Sequence, residues 1–180
     1  MTQDLTRLSK FLSLLLRHKP EEIGITLDAN GWADVDALID GINRTGRYTI
    51  DRQILEEIVR TDSKGRYAFH ADGTKIRANQ GHSVQVDVEL QACEPPEFLW
   101  HGTAQRFGDA IRAEGLKTMS RLYVHLSPDE ETARKVGIRH GKLLLLRVRS
   151  GEMARQGYVF YRSANGVWLT KTVPPAFLEE

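Results

Sequence analysis

Two short runs hold the side chains best suited to chemistry. Leu16-Arg17-His18-Lys19-Pro20 puts a guanidinium and an imidazole where an apolar helix must stop. Trp100-His101-Gly102-Thr103 puts an imidazole at the mouth of a hydrophobic strand. An arginine grips phosphate with two parallel donors, and a histidine gives or takes a proton near neutral pH. The glycine after His101 lets a ligand approach the backbone. Together the runs suggest one lobe that holds a phosphate and another that holds a nucleotide cofactor. The first run also suits a plain cation at a helix C-terminus, worth about 0.3–1 kcal/mol, and the residues alone weigh the two readings evenly.

The remaining candidates are more scattered. Lys64 and Arg66 stand at the entry to a hairpin, where solvated charge and phosphate contact are both open. Arg77 precedes Ala78-Asn79-Gln80-Gly81-His82-Ser83, a polar run that lines a cleft or merely turns the chain. Arg121, His125 and Ser127 border a further strand. A lone histidine on a strand is more often a core residue, and His125 is read that way. The 6 histidines lack cysteine partners and any HExxH spacing, so zinc is not expected. Neither a strand followed by GxGxxG nor a GxxxxGK[ST] run occurs, and no Ser-His-Asp set or catalytic carboxylate pair can be singled out.

These residues must be positioned by the elements around them. Leu5, Leu8, Leu12, Leu15 and Leu16 recur at helical spacing, with Asp4 as N-cap and Pro20 as the stop. Asn30-Gly31 predicts a turn. Asp34 predicts the cap of a second helix that turns Val35, Leu38, Ile39 and Ile42 to one face. Thr49 opens a third, with Ile50, Ile54, Leu55 and Ile58. Arg66 to Phe69 and Thr74 to Ala78 flank Asp72-Gly73, a hairpin signal. Helices followed by a two-stranded wing suggest a winged-helix module, which alone does not establish function.

The second half reads differently. Ser83 to Leu90 alternates Val84, Val86, Val88 and Leu90, as a half-buried strand does. Cys93-Glu94-Pro95-Pro96 is the linker candidate. Phe98-Leu99-Trp100 predicts a short strand ending at His101, then a helix with Phe107, Ala110 and Ile111 inward and Gly115 as its cap. Leu122 to Leu126 predicts a strand, and Ser127-Pro128 the N-cap and first turn of another helix. Leu143 to Val148 and Val167 to Thr170 are further strands, the latter after an Asn165-Gly166 turn. The fold class is α+β.

Composition sets the outer bounds. A chain of 180 residues suits one domain or two small ones, and an apolar fraction of 41% supports a core. The single cysteine, Cys93, excludes an internal disulfide and fits a cytoplasmic location. The polar start lacks the pattern of a signal peptide, and no apolar run is long enough to span a bilayer. Net charge is only +1. Residues 1–94 hold 12 Lys or Arg and 15 Asp or Glu, and the rest hold 13 and 9. Neither half is polybasic, so any nucleic-acid contact rests on a few placed cations.

Eight blocks in order make the chain recognisable: Leu16-Arg17-His18, Asn30-Gly31-Trp32, Lys64-Gly65-Arg66-Tyr67, Gln80-Gly81-His82-Ser83, His101-Gly102-Thr103, Met119-Ser120-Arg121, Val124-His125-Leu126-Ser127 and Asn165-Gly166-Val167-Trp168-Leu169. With them the chain resembles the RNA 2′-phosphotransferase family over nearly its full length. The resemblance implies a winged-helix RNA-binding lobe at 1–92 and a lobe with the fold of NAD-dependent ADP-ribosyltransferases at 93–180. It implies a cytoplasmic monomer that consumes NAD, needs no metal and acts on RNA bearing a 2′-phosphate. It carries catalytic roles onto Arg17, His18, Arg66 and Arg121. The arginines would bind phosphate and stabilise charge, and His18 would be the acid/base. His101, Gly102 and Thr103 match NAD binding. Ser127, at a predicted helix N-terminus, suits the pyrophosphate, and Arg139 is a further cofactor residue. Lys64 and Arg77 fall to the RNA. The alternatives are ADP-ribosyl transfer to terminal phosphates of nucleic acid or to protein, and a winged-helix regulator that binds duplex DNA without turnover.

Overall fold

The structure, a computed structural model, describes residues 5–180. It divides into two compact units, the first ending at Glu89 and the second starting at Leu90.

In the first unit, helix α1 (Leu5–Arg17) buries Leu8, Leu12, Leu15 and Leu16 along one face. Its expected cap, Asp4, lies outside the described residues. Pro20 cannot continue the helix and instead opens a 3-10 turn, Pro20–Ile23. Helix α2 (Val35–Arg44) is capped by Asp34, whose carboxylate accepts from the Ala37 amide at 2.9 Å. Helix α3 (Arg52–Thr61) starts later than Thr49 predicts: its cap is Asp51, which accepts from the Ile54 amide at 2.9 Å. The reason is local. The Asn43 side chain holds Ile50 by both its amide and its carbonyl, at 2.7 and 2.9 Å, and so keeps Ile50 out of the helix.

Three antiparallel strands complete this unit. Strands β1 (Ala33–Asp34), β2 (Tyr67–Phe69) and β3 (Lys75–Ala78) lie in the order β1-β3-β2, with Tyr67 opposite Ala78. Gly73, at φ +75°, closes the hairpin. The leucines of α1 form one core with Leu38, Ile42, Leu55, Ile58 and Ile76. The alternating run Ser83 to Leu90 is not a strand. Its amides go to carbonyls outside any sheet, Ser83 to Arg17 at the end of α1 and Asp87 to Ala29 in a turn, and Glu89 at φ +62° breaks the extended run. Val86 and Val88 lie against Gly31 instead of facing a sheet.

In the second unit, β4 (Leu99–Ala104) pairs antiparallel with β7 (Leu143–Val148), so His101 lies inside a strand rather than at its end. Strand β11 (Leu178–Glu179) flanks β7. A second sheet has the order β6-β9-β8 (Val124–Leu126, Trp168–Thr170, Phe160–Arg162), and β5 (Leu116–Lys117) pairs with β10 (Thr172–Val173). Mutual backbone bonds between Trp100 and Ser127, at 2.8 and 2.9 Å, join β4 to the end of β6. Three helices complete the unit: α4 (Gly108–Glu114), α5 (Glu130–Ile138) and α6 (Ser150–Arg155). The described residues are mixed α/β, with six α-helices and several small sheets.

Three expectations fail here. Phe107 is 43% exposed and Ala110 is exposed, so α4 turns only Ile111 toward the core. Cys93 is no free linker, because its amide bonds to Phe160 and Ala92 bridges Tyr161. Ser127 does not cap α5. Asp129 does, accepting from the Thr132 amide at 2.7 Å, while the Ser127 backbone is already committed to Trp100.

Candidate active site

The end of α1 is where helix carbonyls lack intrahelical donors. The loop at 81–84 supplies them. Ser83 and Val84 both donate their amides to the Arg17 carbonyl, at 3.0 and 3.4 Å. The Ser83 hydroxyl lies 2.8 Å from Nδ1 of His18. Gly81, at φ +91°, lets the Arg17 side chain pass: a Cβ there would lie 3.2 Å from its Nε. Next in the loop, His82 is only 3% exposed. Burial, reinforced by the charges of Arg17, His18 and Arg77, pushes its pKa down to about 4. His82 is therefore a neutral ring among cations at neutral pH.

Arg66 is held from below. Asp62, on the C-terminal side of α3, accepts the Arg66 guanidinium at 2.5 Å and its amide at 2.6 Å. Asn79 fixes the preceding turn by bonding the carbonyls of Gly65 and Arg66, at 2.6 and 2.8 Å. His18 and Arg66 line one cavity of about 460 Å³, together with Ser9, Lys10, Ser13 and Tyr67. Lys64 is exposed beside this turn. Arg77 has framework contacts: it stacks 4.2 Å over Trp32, donates to the Asn30 carbonyl and meets Glu89 at 3.4 Å.

In the second unit, Nδ1 of His101 lies 2.9 Å from the backbone carbonyl of His125. A carbonyl only accepts, so Nδ1 carries the proton and Nε2 of the neutral ring is an acceptor. Burial lowers the His101 pKa, which favours that neutral form. The ring thus suits a ribose hydroxyl better than a pyrophosphate oxygen. Arg121 donates to Nδ1 of His125 at 3.2 Å, which makes His125 an acceptor there as well. Arg121 reaches the surface, yet neighbouring protein shields its guanidinium enough to lower its pKa. Among the described residues no carboxylate lies within ion-pair distance of it. His125, read from sequence as a core residue, is thus the link between Arg121 and His101. No spacing signal shows this; only its place in the block Val124-His125-Leu126-Ser127 points to it.

The other cofactor candidates fare differently. Gly102 does not serve ligand approach in the way the sequence suggests. A Cβ there would sit 1.7 Å from the Ala133 carbonyl oxygen, and one at Gly137 would meet the Thr103 amide at 2.9 Å, so the two glycines let α5 lie directly on β4. Thr103 is buried and pairs with Leu144. Ser127 lies off the helix terminus, so a pyrophosphate contact at Ser127 would not draw on that terminus. The true terminus carries Asp129, Glu130 and Glu131, whose charges repel an anion. Arg139 stands exposed at the C-terminus of α5 and joins none of the His101 contacts. Among the described residues, no three His, Cys, Asp or Glu side chains are grouped to hold a metal, and no helix is long and apolar enough to cross a membrane.

A fixed guanidinium beside an imidazole, and another guanidinium without a counter-carboxylate, are groups that receive a phosphate. Comparison with known proteins agrees. The model of the family described as RNA 2′-phosphotransferase, Tpt1/KptA, matches residues 3–172. The chain belongs to this family. It is 53% identical over 172 residues to a protein of Flavobacterium johnsoniae, covering 96% of this chain and 94% of that one. It is 52% identical to one of Escherichia coli strain 536, covering 98% and 96%, and 53% identical to one of Burkholderia lata, covering 98% and 91%. Each of these relatives is named "Probable RNA 2'-phosphotransferase". Membership makes the chain a transferase of the RNA 2′-phosphotransferase kind, with RNA as its substrate.

Proposed function

We propose that this enzyme removes an internal RNA 2′-phosphate in a reaction that consumes NAD. The observation that carries the reading is His18 and Arg66 on one cavity, the guanidinium fixed by Asp62 and the ring by Ser83. Proton transfer and charge stabilisation at a phosphate need that pair, held still. In this reading the first unit is a winged-helix RNA lobe and the second an ADP-ribosyltransferase-like lobe.

NAD supplies an ADP-ribosyl group to the 2′-phosphate with loss of nicotinamide, after which the ribose 2″-hydroxyl takes the phosphorus, leaving RNA with a 2′-hydroxyl and ADP-ribose 1″,2″-cyclic phosphate. The phosphomonoester is already anionic, so the first step requires no base. Arg17, Arg66 and Arg121 bind phosphate oxygens and stabilise the charge that builds in the second step. His18 handles the protons of that step at Nε2, taking one from the 2″-hydroxyl or giving one to the departing RNA oxygen. His101 accepts from a ribose hydroxyl at Nε2. Its lowered pKa and carbonyl-fixed tautomer, and the lack of a carboxylate beside Arg121, support a dinucleotide site in this unit. Thr103, next along the same strand face, is the second residue of that site.

The test is product analysis. RNA with a single 2′-phosphate is mixed with the protein, with and without NAD. We expect nicotinamide, RNA with a free 2′-hydroxyl and the cyclic phosphate, all dependent on NAD and unaffected by a chelator. Release of inorganic phosphate without NAD would overturn the reading. Stable ADP-ribosylated RNA as the end product would move it to phosphate-capping chemistry.

A further inference from the structure

Ser83 touches the site in two ways, and the mechanism above takes its hydroxyl only as an anchor for the His18 ring. Its amide donates to the carbonyl of Arg17, and its hydroxyl meets Nδ1 of His18 at 2.8 Å. The two neighbours in sequence, one an arginine and one a histidine, are thus held by one residue from a distant loop. We propose that Ser83 is a positioning residue that assigns proton transfer in the phosphate-transfer step to Nε2 of His18. The proposal rests on the function given above.

The argument is one of hydrogen-bond inventory. A hydroxyl both donates and accepts. It donates to a bare Nδ1 and accepts from a protonated one, so the ring keeps this bond as a neutral base and as the imidazolium. When Nε2 takes a proton from the 2″-hydroxyl, the Nδ1–H keeps donating to the Ser83 oxygen. When Nε2 gives its proton to the leaving RNA oxygen, the ring returns to the same neutral state. A backbone carbonyl, such as the one that faces Nδ1 of His101, accepts through the same cycle; what sets the hydroxyl apart is that it also bonds the tautomer carrying its proton on Nε2. His101 is therefore held as one neutral tautomer, while the Ser83 hydroxyl accommodates either tautomer of His18 and, by engaging Nδ1, assigns the proton exchange to Nε2. The loop itself is secured independently by the amides of Ser83 and Val84 and by the packing of His82, which is 3% exposed.

That independence makes the test clean. Ser83→Ala removes the hydroxyl and leaves both amide bonds to Arg17. In single-turnover assays with 2′-phosphorylated RNA and NAD, Ser83→Ala slows the second step by about tenfold, the size of one neutral hydrogen bond. The first step keeps its rate, so ADP-ribosylated RNA accumulates. Ser83→Thr, which keeps a hydroxyl on the same atom, restores most of the second-step rate. A second readout needs no substrate: in long-range 1H–15N spectra of the ¹⁵N-labelled protein, Ser83→Ala shifts Nδ1 of His18 and leaves the His101 ring unchanged. Equal slowing of both steps, or no rescue by Thr, overturns the positioning role. So do unchanged His18 ring shifts. If the spectra change as expected but wild type forms no nicotinamide, the contact stands, and the function it was assigned to falls along with the role in proton transfer.

Discussion

Arg66 and Arg121, to which the proposed function gives the same task, are housed in opposite ways. Arg66 has a resident anion: Asp62, whose side chain is only 5% exposed, holds both its guanidinium and its amide. Arg121 meets only a neutral imidazole, with no carboxylate in reach among the described residues, and its pKa falls through loss of solvent. The first is positioned by the protein and needs no ligand to be content. The second is a charge whose missing partner must come from outside. In the proposed reaction a phosphate group supplies it. The difference predicts that the first unit presents a pre-set grip, whereas the second gains most when substrate arrives.

The largest expected effect breaks this comparison at Arg121. Arg121→Met removes a cation that no acid among the described residues neutralises, so the fold should hold to within about 0.5 kcal/mol. Activity should fall by roughly 10²–10³-fold, the usual consequence of losing one electrostatic donor at a developing charge. Arg121→Lys should recover only part of it, because a point charge cannot grip two oxygens at once. Thermal melts beside steady-state rates decide the matter. Near-normal turnover in the methionine variant, or a melt lowered by many degrees, would show that Arg121 is structural.

How much of this was legible beforehand varies by residue, for physical reasons. The four buried leucines of α1 and the Asp72-Gly73 hairpin were plain, because each is a local pattern completed within a few residues. The short strands β8, β10 and β11 were not, because two or three residues carry no period, and neither was helix α6, whose six residues are under two turns. Two caps were misplaced where two candidates stood close together, Thr49 before Asp51 and Ser127 before Asp129. Each time the carboxylate prevailed and the hydroxyl residue was held elsewhere or left outside the helix. Gly102 was noticed for the wrong reason, since its contact is with a helix much later in the chain. At the site, the Arg-His run was legible. The i,i+4 pair of Asp62 and Arg66 was overlooked, although its spacing was there to be seen. His125 could not have been found by spacing, because its role depends on the bridge between β4 and β6.

A second prediction sharpens the contrast by pH. Burial, with the charges of Arg17, His18 and Arg77 added to it, holds His82 neutral, with its pKa at about 4 against an ordinary 6.5. The unfolded chain therefore binds a proton at His82 that the folded chain refuses between those values. Stability from this group is full above pH 6.5 and is lost as pH falls from 6.5 toward 4, where the loss stops growing. The interval corresponds to about 3 kcal/mol. The lowered pKa of His101 acts in the same direction. Denaturant titrations across this range should show the loss in wild type and a much shallower one in His82→Asn. Parallel slopes in both proteins would clear His82 of the effect.

The smallest expected effect concerns the helix whose N-terminus was first assigned to a ligand. A cap residue is worth about 1 kcal/mol when replaced by alanine. Asp129 accepts two hydrogen bonds from Thr132, one from its amide and one from its hydroxyl, and these hold its carboxyl below its ordinary pKa. Ser127, two residues earlier, enters the structure through its backbone, which alanine retains. Asp129→Ala should therefore cost about 0.5–2 kcal/mol, and Ser127→Ala less than about 0.5. The same pair separates two functional outcomes. If α5 receives no pyrophosphate, removing the Asp129 charge leaves the KM for NAD nearly unchanged, and Ser127→Ala does the same. If the helix terminus does receive it, removing a repelling carboxylate lowers that KM, and losing the Ser127 hydroxyl raises it. Opposite shifts in the two variants would return the cofactor to this helix. Matching, near-zero shifts would leave Arg121, with no carboxylate of its own, as the anion site of the second unit.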